Sequence, residues 1–285
     1  MRKIGAILLI LFSFLGIFLI SKYIFLPFSS EKLLQFSTIQ EEIKQTKQEI
    51  SLPPPLRLDK ESKEAFLTKE GVIKWTNLQR EKYGLPPLKE NPKLDASAAI
   101  KTEEMFAKQY FAHISPTGEG VADLSKSTGY DFILIGENLA LGNFENDEAL
   151  VSAWMNSPGH RENILNQKYQ DIGVSVLKCF FDGKMTWLAV QHFGLSLDAC
   201  PQPDQNIKIK IDLNKEKINE KEKTLENLID NIKNVKGLQK KSYIEEYNNL
   251  VNQYNNLVEE TRILTDQYNA QVKIFNDCID KTINK

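Results

Sequence analysis

Few of the residues on which chemistry usually depends occur in this sequence. There are only three histidines and three cysteines in 285 residues, and an odd cysteine count leaves at least one thiol outside any pairing within the chain. No Cys-x-x-Cys spacing occurs, which argues against a redox pair or a cysteine-built zinc site. There is no His-Glu-x-x-His helix, no Gly-x-Ser-x-Gly elbow and no phosphate-binding glycine loop, so the common signatures of metalloproteases, α/β-hydrolases and nucleotide-binding enzymes are missing. Charge of one sign is lacking too: 36 Lys and Arg oppose 38 Asp and Glu, for a net charge of -2. These charges are intermixed rather than gathered into a basic stripe, and a nucleic-acid partner is not expected.

What is present begins with the N-terminus. Arg2 and Lys3 precede an apolar run from Ile4 to Ile20, about 17 residues and near the lower limit for crossing a bilayer core. Lys22 can snorkel into the headgroups, and Tyr23 suits the same interface. Neither Ser21-Lys22-Tyr23 nor Leu26-Pro27-Phe28 supplies a small-x-small cleavage site. The expectation is therefore an uncleaved signal anchor over residues 1–28. By the positive-inside tendency it makes a single-pass cell-membrane protein with the bulk of the chain extracytoplasmic. The membrane is the first expected partner.

Residues 29–65 read as a linker: a charged amphipathic helix from Glu31 to Ile50, then Pro53-Pro54-Pro55 as a stiff extended spacer. A globular domain over residues 66–200 follows. One helix runs through Val72, Ile73, Thr76 and Tyr83 and stops at Gly84; a second starts at Asn91-Pro92 and runs towards Phe111; a third spans Asp147 to Asn156, stopped by Pro158-Gly159. Ile172–Phe181 and Lys184–Phe193 form an antiparallel hairpin across Asp182-Gly183, a pair suited to a type I′ turn. The first of these strands carries apolar residues on both faces, so both need cover, and a three-layer α/β/α sandwich around a small antiparallel sheet provides it. The fold class expected is α+β. Cys179, in that apolar strand, reads as a small buried hydrophobe.

Residues 206–285 change character. Proline is absent from Ile207 to Ile283 and Gly237 is the one glycine there. Apolar stripes at three- and four-residue steps lie on either side of it, from Ile211 to Val235 and from Tyr247 to Ile279. They predict a helical coiled-coil hairpin, with one continuous coiled coil as the alternative, and possible self-association through it.

All three histidines fall in the middle domain. His113 sits in Tyr110-Phe111-Ala112-His113-Ile114-Ser115-Pro116, and His160 in Ser157-Pro158-Gly159-His160-Arg161-Glu162-Asn163-Ile164-Leu165. Glu137 lies in Gly136-Glu137-Asn138-Leu139-Ala140, and an acid among apolar neighbours needs a polar cleft or a histidine partner. Two imidazoles and a carboxylate could hold a divalent metal such as zinc or transfer protons.

Together with Tyr83-Gly84-Leu85-Pro86-Pro87-Leu88, Asn91-Pro92-Lys93-Leu94 and Gln191-His192-Phe193-Gly194, these segments resemble the bacterial branch of the CAP superfamily (cysteine-rich secretory, antigen 5, pathogenesis-related) in family order from about Phe66 to Gly194. The resemblance implies an α/β/α sandwich whose cleft is lined by two histidines and two acids and in some members holds a divalent metal. His113, Glu137 and His160 match three of those positions, whereas Ser157 stands where the animal and plant pattern has its second acid. Gln191 matches the family position on the closing strand better than His192, which alternates to the opposite face and reads as a packed strand histidine. The binding set expected is thus His113, Glu137, His160, Ser157 and Gln191, with His113, Glu137 and His160 as metal ligands, or as catalytic groups if the protein is an enzyme. The first functional expectation is a module for a small ligand, metal or surface partner; a metal- or histidine-dependent, peptidase-like hydrolase and a scaffold acting through the C-terminal helices are the alternatives.

Overall fold

The computed structural model describes residues 49–58 and 62–284. The apolar run Ile4–Ile20 and nearly all of the helix expected before Ile50 lie outside the described residues. Among the described residues no helix is long and apolar enough to cross a membrane. The described chain forms two compact units, residues 49–201 with 277–284, and residues 202–276.

The first unit is built on a mixed six-stranded sheet. Its spine is β4 (Phe132–Leu141), every residue of which is buried. One side of β4 pairs antiparallel with β6 (Lys184–Ser196), which pairs antiparallel with β5 (Asp171–Phe181). Asp182 and Gly183 both take positive φ, 48° and 78°, as the hairpin turn requires. The other side of β4 carries two short parallel strands, β1 (Glu49–Ser51) and β2 (Leu56–Arg57), and β3 (Lys89–Glu90) runs parallel to β5 at the far edge. The sheet is therefore mixed rather than antiparallel, and residues 49–57 are part of it rather than a free spacer or the end of a helix. The three prolines cannot donate to a ladder, which kept this segment from reading as strand.

Helices cover both faces. On one lie α2 (Pro92–Lys108) and α3 (Val121–Ser127), with Ala98 and Met105 packed on Leu139, Leu188 and Val190. On the other lie α1 (Lys69–Lys82), α4 (Asp147–Asn156) and α5 (Pro158–Ile164). Asn91 caps α2 by accepting from the Lys93 amide, with Pro92 in the first turn. The helix ends at Gln109, in left-handed conformation at φ 51° and so short of Phe111; its side chain donates to the Phe106 carbonyl at 2.7 Å. Pro158-Gly159, expected only as a stop, also opens α5 because proline is well placed in a first turn.

Cover is not complete. Beyond Ile172 β5 is the edge of the sheet; Leu177 and Phe180 are exposed there, and Cys179 is an exposed free thiol rather than a buried hydrophobe. Cys200 and Cys278 form a disulfide.

In the second unit, α6 (Gln205–Asn234) and most of α7 (Gly237–Ile283) run antiparallel. Ile218, Leu225 and Leu228 pack with Tyr247, Val251 and Tyr254, and Ile211 packs with Tyr268 and Val272. The Tyr254 hydroxyl donates to Glu222 at 2.7 Å across the pair. The break falls at Gly237, with φ 67°, and selects a hairpin of helices over one unbroken rod.

Candidate functional site

The site grows from the register of β4 on β6. Glu137 lies opposite His192, and Asn138 opposite Gln191. Alternation along a strand then puts Glu137 and His192 on the face covered by α2, and Asn138 and Gln191 on the face covered by α1 and α5. Glu137 is fully buried, with 0% exposure, and both of its carboxylate oxygens are engaged. Oε1 lies 2.6 Å from His113 Nδ1 and Oε2 lies 2.9 Å from His192 Nε2. His192 Nδ1 in turn meets Ser97 Oγ at 2.8 Å. Ser97 comes from the buried stripe of α2, where polar Ser97, Lys101 and Thr102 interrupt Leu94, Ala98 and Met105.

Burial alone would push the Glu137 carboxyl up, since desolvation disfavours the anion. The hydrogen bonds from the two imidazoles, with their charge, outweigh burial and hold it down at about 2. Glu137 is an anion at neutral pH. His113, at the exit of α2, has its second nitrogen 2.5 Å from the Pro53 carbonyl oxygen. A carboxylate and a carbonyl can only accept, so both ring nitrogens of His113 face acceptors. The His113 backbone is itself held: its carbonyl accepts from Lys101 Nζ at 2.7 Å, and that ammonium also donates to Tyr110 at 3.0 Å. Desolvation lowers the Lys101 pKa against the attraction of Glu137 and Glu104.

His160 occupies a different position. Its Nδ1 is 2.8 Å from Ser157 Oγ, and its Nε2 is buried without a protein partner. It makes no bond to Glu137. Burial lowers its pKa to about 4, the charge of His113 adding to that effect and the Leu139 backbone opposing it, so His160 is neutral above mildly acid pH. Ser157, standing where the resemblance would place an acid, is committed to His160. Gln191 turns away from Glu137: Nε2 donates to Thr76 Oγ1 at 2.8 Å and Oε1 accepts from Asn138 at 3.2 Å. The preference for Gln191 over His192 thus reverses in the structure, where His192 is the residue that meets the acid.

Behind the site, Asn163 of α5 reaches the Glu137 carbonyl at 3.3 Å, the Ser51 carbonyl at 3.4 Å and Asn138 Oδ1 at 3.0 Å. Buried Arg80 fixes α5 from below, donating to the carbonyls of Ile164 and Asn166, each at 2.8 Å. Ser97 and Asn138 were not singled out from the sequence, Asn163 reads there as a brace for the turn around His160, and Pro53 only as part of a spacer. The one available signal was the polar interruption of the α2 stripe.

The donor set does not fit a divalent cation in this arrangement. Both Glu137 oxygens and both His113 nitrogens are spent, His160 Nε2 alone is unpartnered, and among the described residues no three His, Cys, Asp or Glu side chains converge on a metal-sized point.

Residues 74–193 match the model of the Cysteine-rich secretory protein family, CAP. The chain is 44% identical over 107 residues to the uncharacterized protein YkwD of Bacillus subtilis, covering 38% of this chain and 41% of that one. It is 30% identical over 133 residues to the uncharacterized membrane protein YlbC of the same organism, covering 47% and 38%. The chain thus spans about two fifths of the length of these curated relatives. Among solved structures it is similar to an extracellular protein containing an SCP domain from Bacillus anthracis, at 28% identity, 44% and 39% coverage and a TM-score of 0.39. A second is an outer surface protein of Borrelia burgdorferi, at 24% identity, 46% and 97% coverage and a TM-score of 0.40. The sequence match, with the Glu-Asn strand and the Ser-Pro-Gly-His helix in the places just described, makes residues 74–193 a CAP domain of the bacterial branch of the superfamily.

Proposed function

We propose that this protein is an extracytoplasmic, surface-associated binding module rather than an enzyme, and that it meets its ligand through His113 beside His160 and Ser157. The observation that carries this reading is the engagement of Glu137. A general base must offer a free lone pair to the proton it takes, and both oxygens of this buried carboxylate already accept from imidazoles. The acid is a support that fixes His113 as a donor, with His192 and Ser97 holding it from behind. A donor aimed outward by a buried anion recognises an acceptor on a ligand once the Pro53 carbonyl gives way.

Placement at the membrane is supported by the apolar run Ile4–Ile20 and by similarity to a relative described as a membrane protein. The test of the binding reading is a His113→Ala, His160→Ala double variant assayed beside the wild type on peptide and cell-wall substrates. Equal background rates are expected. Turnover by the wild type that the double variant loses would restore the hydrolase reading.

A further inference from the structure

Residues 49–58 do more than extend the sheet. In β1, Glu49, Ile50 and Ser51 sit opposite Leu134, Ile135 and Gly136 of β4, and in β2, Leu56 and Arg57 sit opposite Ala140 and Leu141. The four residues Leu52 to Pro55 therefore lie against the three residues Glu137 to Leu139, and the ladder opens along the stretch of β4 that carries the buried acid. Side chains take over the β4 carbonyls there: Asn163 donates to Glu137 at 3.3 Å and Trp154 to Leu139 at 3.3 Å. Pro53 is buried in the opening. Its carbonyl takes the outward N–H of His113, and its ring lies against Gly159, where an added Cβ would come 2.8 Å from Pro53 Cβ.

An extended segment joined to a sheet edge by main-chain bonds, with one proline seated in a pocket and one carbonyl held by a fixed donor, is how strand-adding domains bind peptides. We propose that the β4 edge, His113 and Gly159 form a receptor groove for an extended, proline-bearing peptide of a partner protein, and that the chain's own Glu49–Leu58 segment fills the groove in cis as a built-in competitor. This rests on the binding reading for the role of His113 and adds the ligand class and the regulation. The fit to the resident segment is the argument for the class: flanking strands need main-chain donors, while Pro53, Pro54 and Pro55 of the central stretch have no N–H to leave unpaired. An occupant held within the same chain is present at high effective concentration, so a free peptide gains access only when the segment is displaced.

The test uses the full chain and a fluorescent peptide of residues 49–58. A Pro53→Gly, Pro54→Ser, Pro55→Gly triple variant removes the seated ring and carbonyl geometry. It should bind the peptide at least tenfold more tightly than the wild type, with a scrambled peptide not bound. Adding Gly159→Ala, which closes the proline seat at a helical position that tolerates alanine, should abolish that binding while the unfolding midpoint stays close to that of the triple variant; adding His113→Ala should abolish it too, at a lowered midpoint because one buried Glu137 oxygen loses its donor. Hydrogen exchange of the wild type supplies a readout independent of the variants: the Ile50–Ser51 and Leu56–Leu58 amides should be protected. Random-coil exchange of those amides overturns the proposal, as does equal binding by wild type and triple variant. Protected amides with no peptide binding by a folded triple variant also overturn it, making the segment purely structural, and leave the binding reading standing with another ligand. Concentration-dependent dimerisation of the triple variant without added peptide would assign the groove to a second copy and overturn the partner-peptide proposal.

Discussion

Acidification should destabilise the CAP domain in two separable steps, because two buried groups titrate well below their ordinary ranges. His160 is held at about 4 instead of 6.5, first by burial. Between those values the unfolded chain binds a proton that the native chain refuses, so stability falls as pH drops from about 6.5 to about 4. At 1.36 kcal/mol per pH unit, the step is about 3 kcal/mol. Glu137 is held at about 2 instead of 4.5, burial being outweighed by the His113 and His192 hydrogen bonds. Its contribution is complete above about 4.5 and is lost as pH falls towards about 2, again about 3 kcal/mol. All three tryptophans, Trp75, Trp154 and Trp187, lie in the domain and none in the helical hairpin, so urea unfolding followed by tryptophan fluorescence reports the domain alone. Measured from pH 7.5 to 3 at constant ionic strength, a His160→Gln variant should lose the slope between about 6.5 and 4 and retain the one below. An unchanged upper slope in that variant would refute the claim that His160 is kept neutral by burial, and stability that rises on acidification would refute the sign of the whole argument.

Three further outcomes follow from the packing. Cys200→Ser opens a loop of 78 residues, which should lower unfolding free energy by about 2–4 kcal/mol, with dithiothreitol matching the variant's effect on the wild type. Gly173→Ala drives a Cβ into the Leu94 carbonyl carbon and the Asp95 nitrogen, well inside contact distance; main chain cannot swing aside, so a loss of about 2 kcal/mol or more is expected in denaturant midpoints. His192→Leu leaves one Glu137 oxygen buried without a donor and should cost about 2–3 kcal/mol at pH 7, the deficit shrinking as Glu137 is protonated at low pH.

What could be read from sequence was local. The caps of α1 and α2, the Asp182-Gly183 turn and the break at Gly237 are each set by a few neighbouring residues, and they appear where their chemistry places them. The buried strand β4 gave no such sign: it is covered on both faces, so its residues do not alternate and its period is lost. With β4 unread, the register that sets Glu137 against His192 could not be found, and Gln191 was preferred. The segment around Pro53 failed for the converse reason. Proline marks a chain that avoids ladder bonds, and only the folded edge of β4 shows that such a chain is what fits there. Cys179 is exposed on a stretch of β5 that forms the edge of the sheet, a matter of strand order that strand composition does not record.

The central claim is that His113 is pinned between a buried carboxylate and a carbonyl of the chain's own proline segment. Long-range nitrogen–proton NMR of the imidazoles measures this directly, since three histidines can be assigned by single substitutions. At pH 7 both His113 ring nitrogens should show the shifts of hydrogen-bonded sites shielded from water, while His160 is neutral. A His113 ring with one bare nitrogen, exchanging freely, would contradict the account.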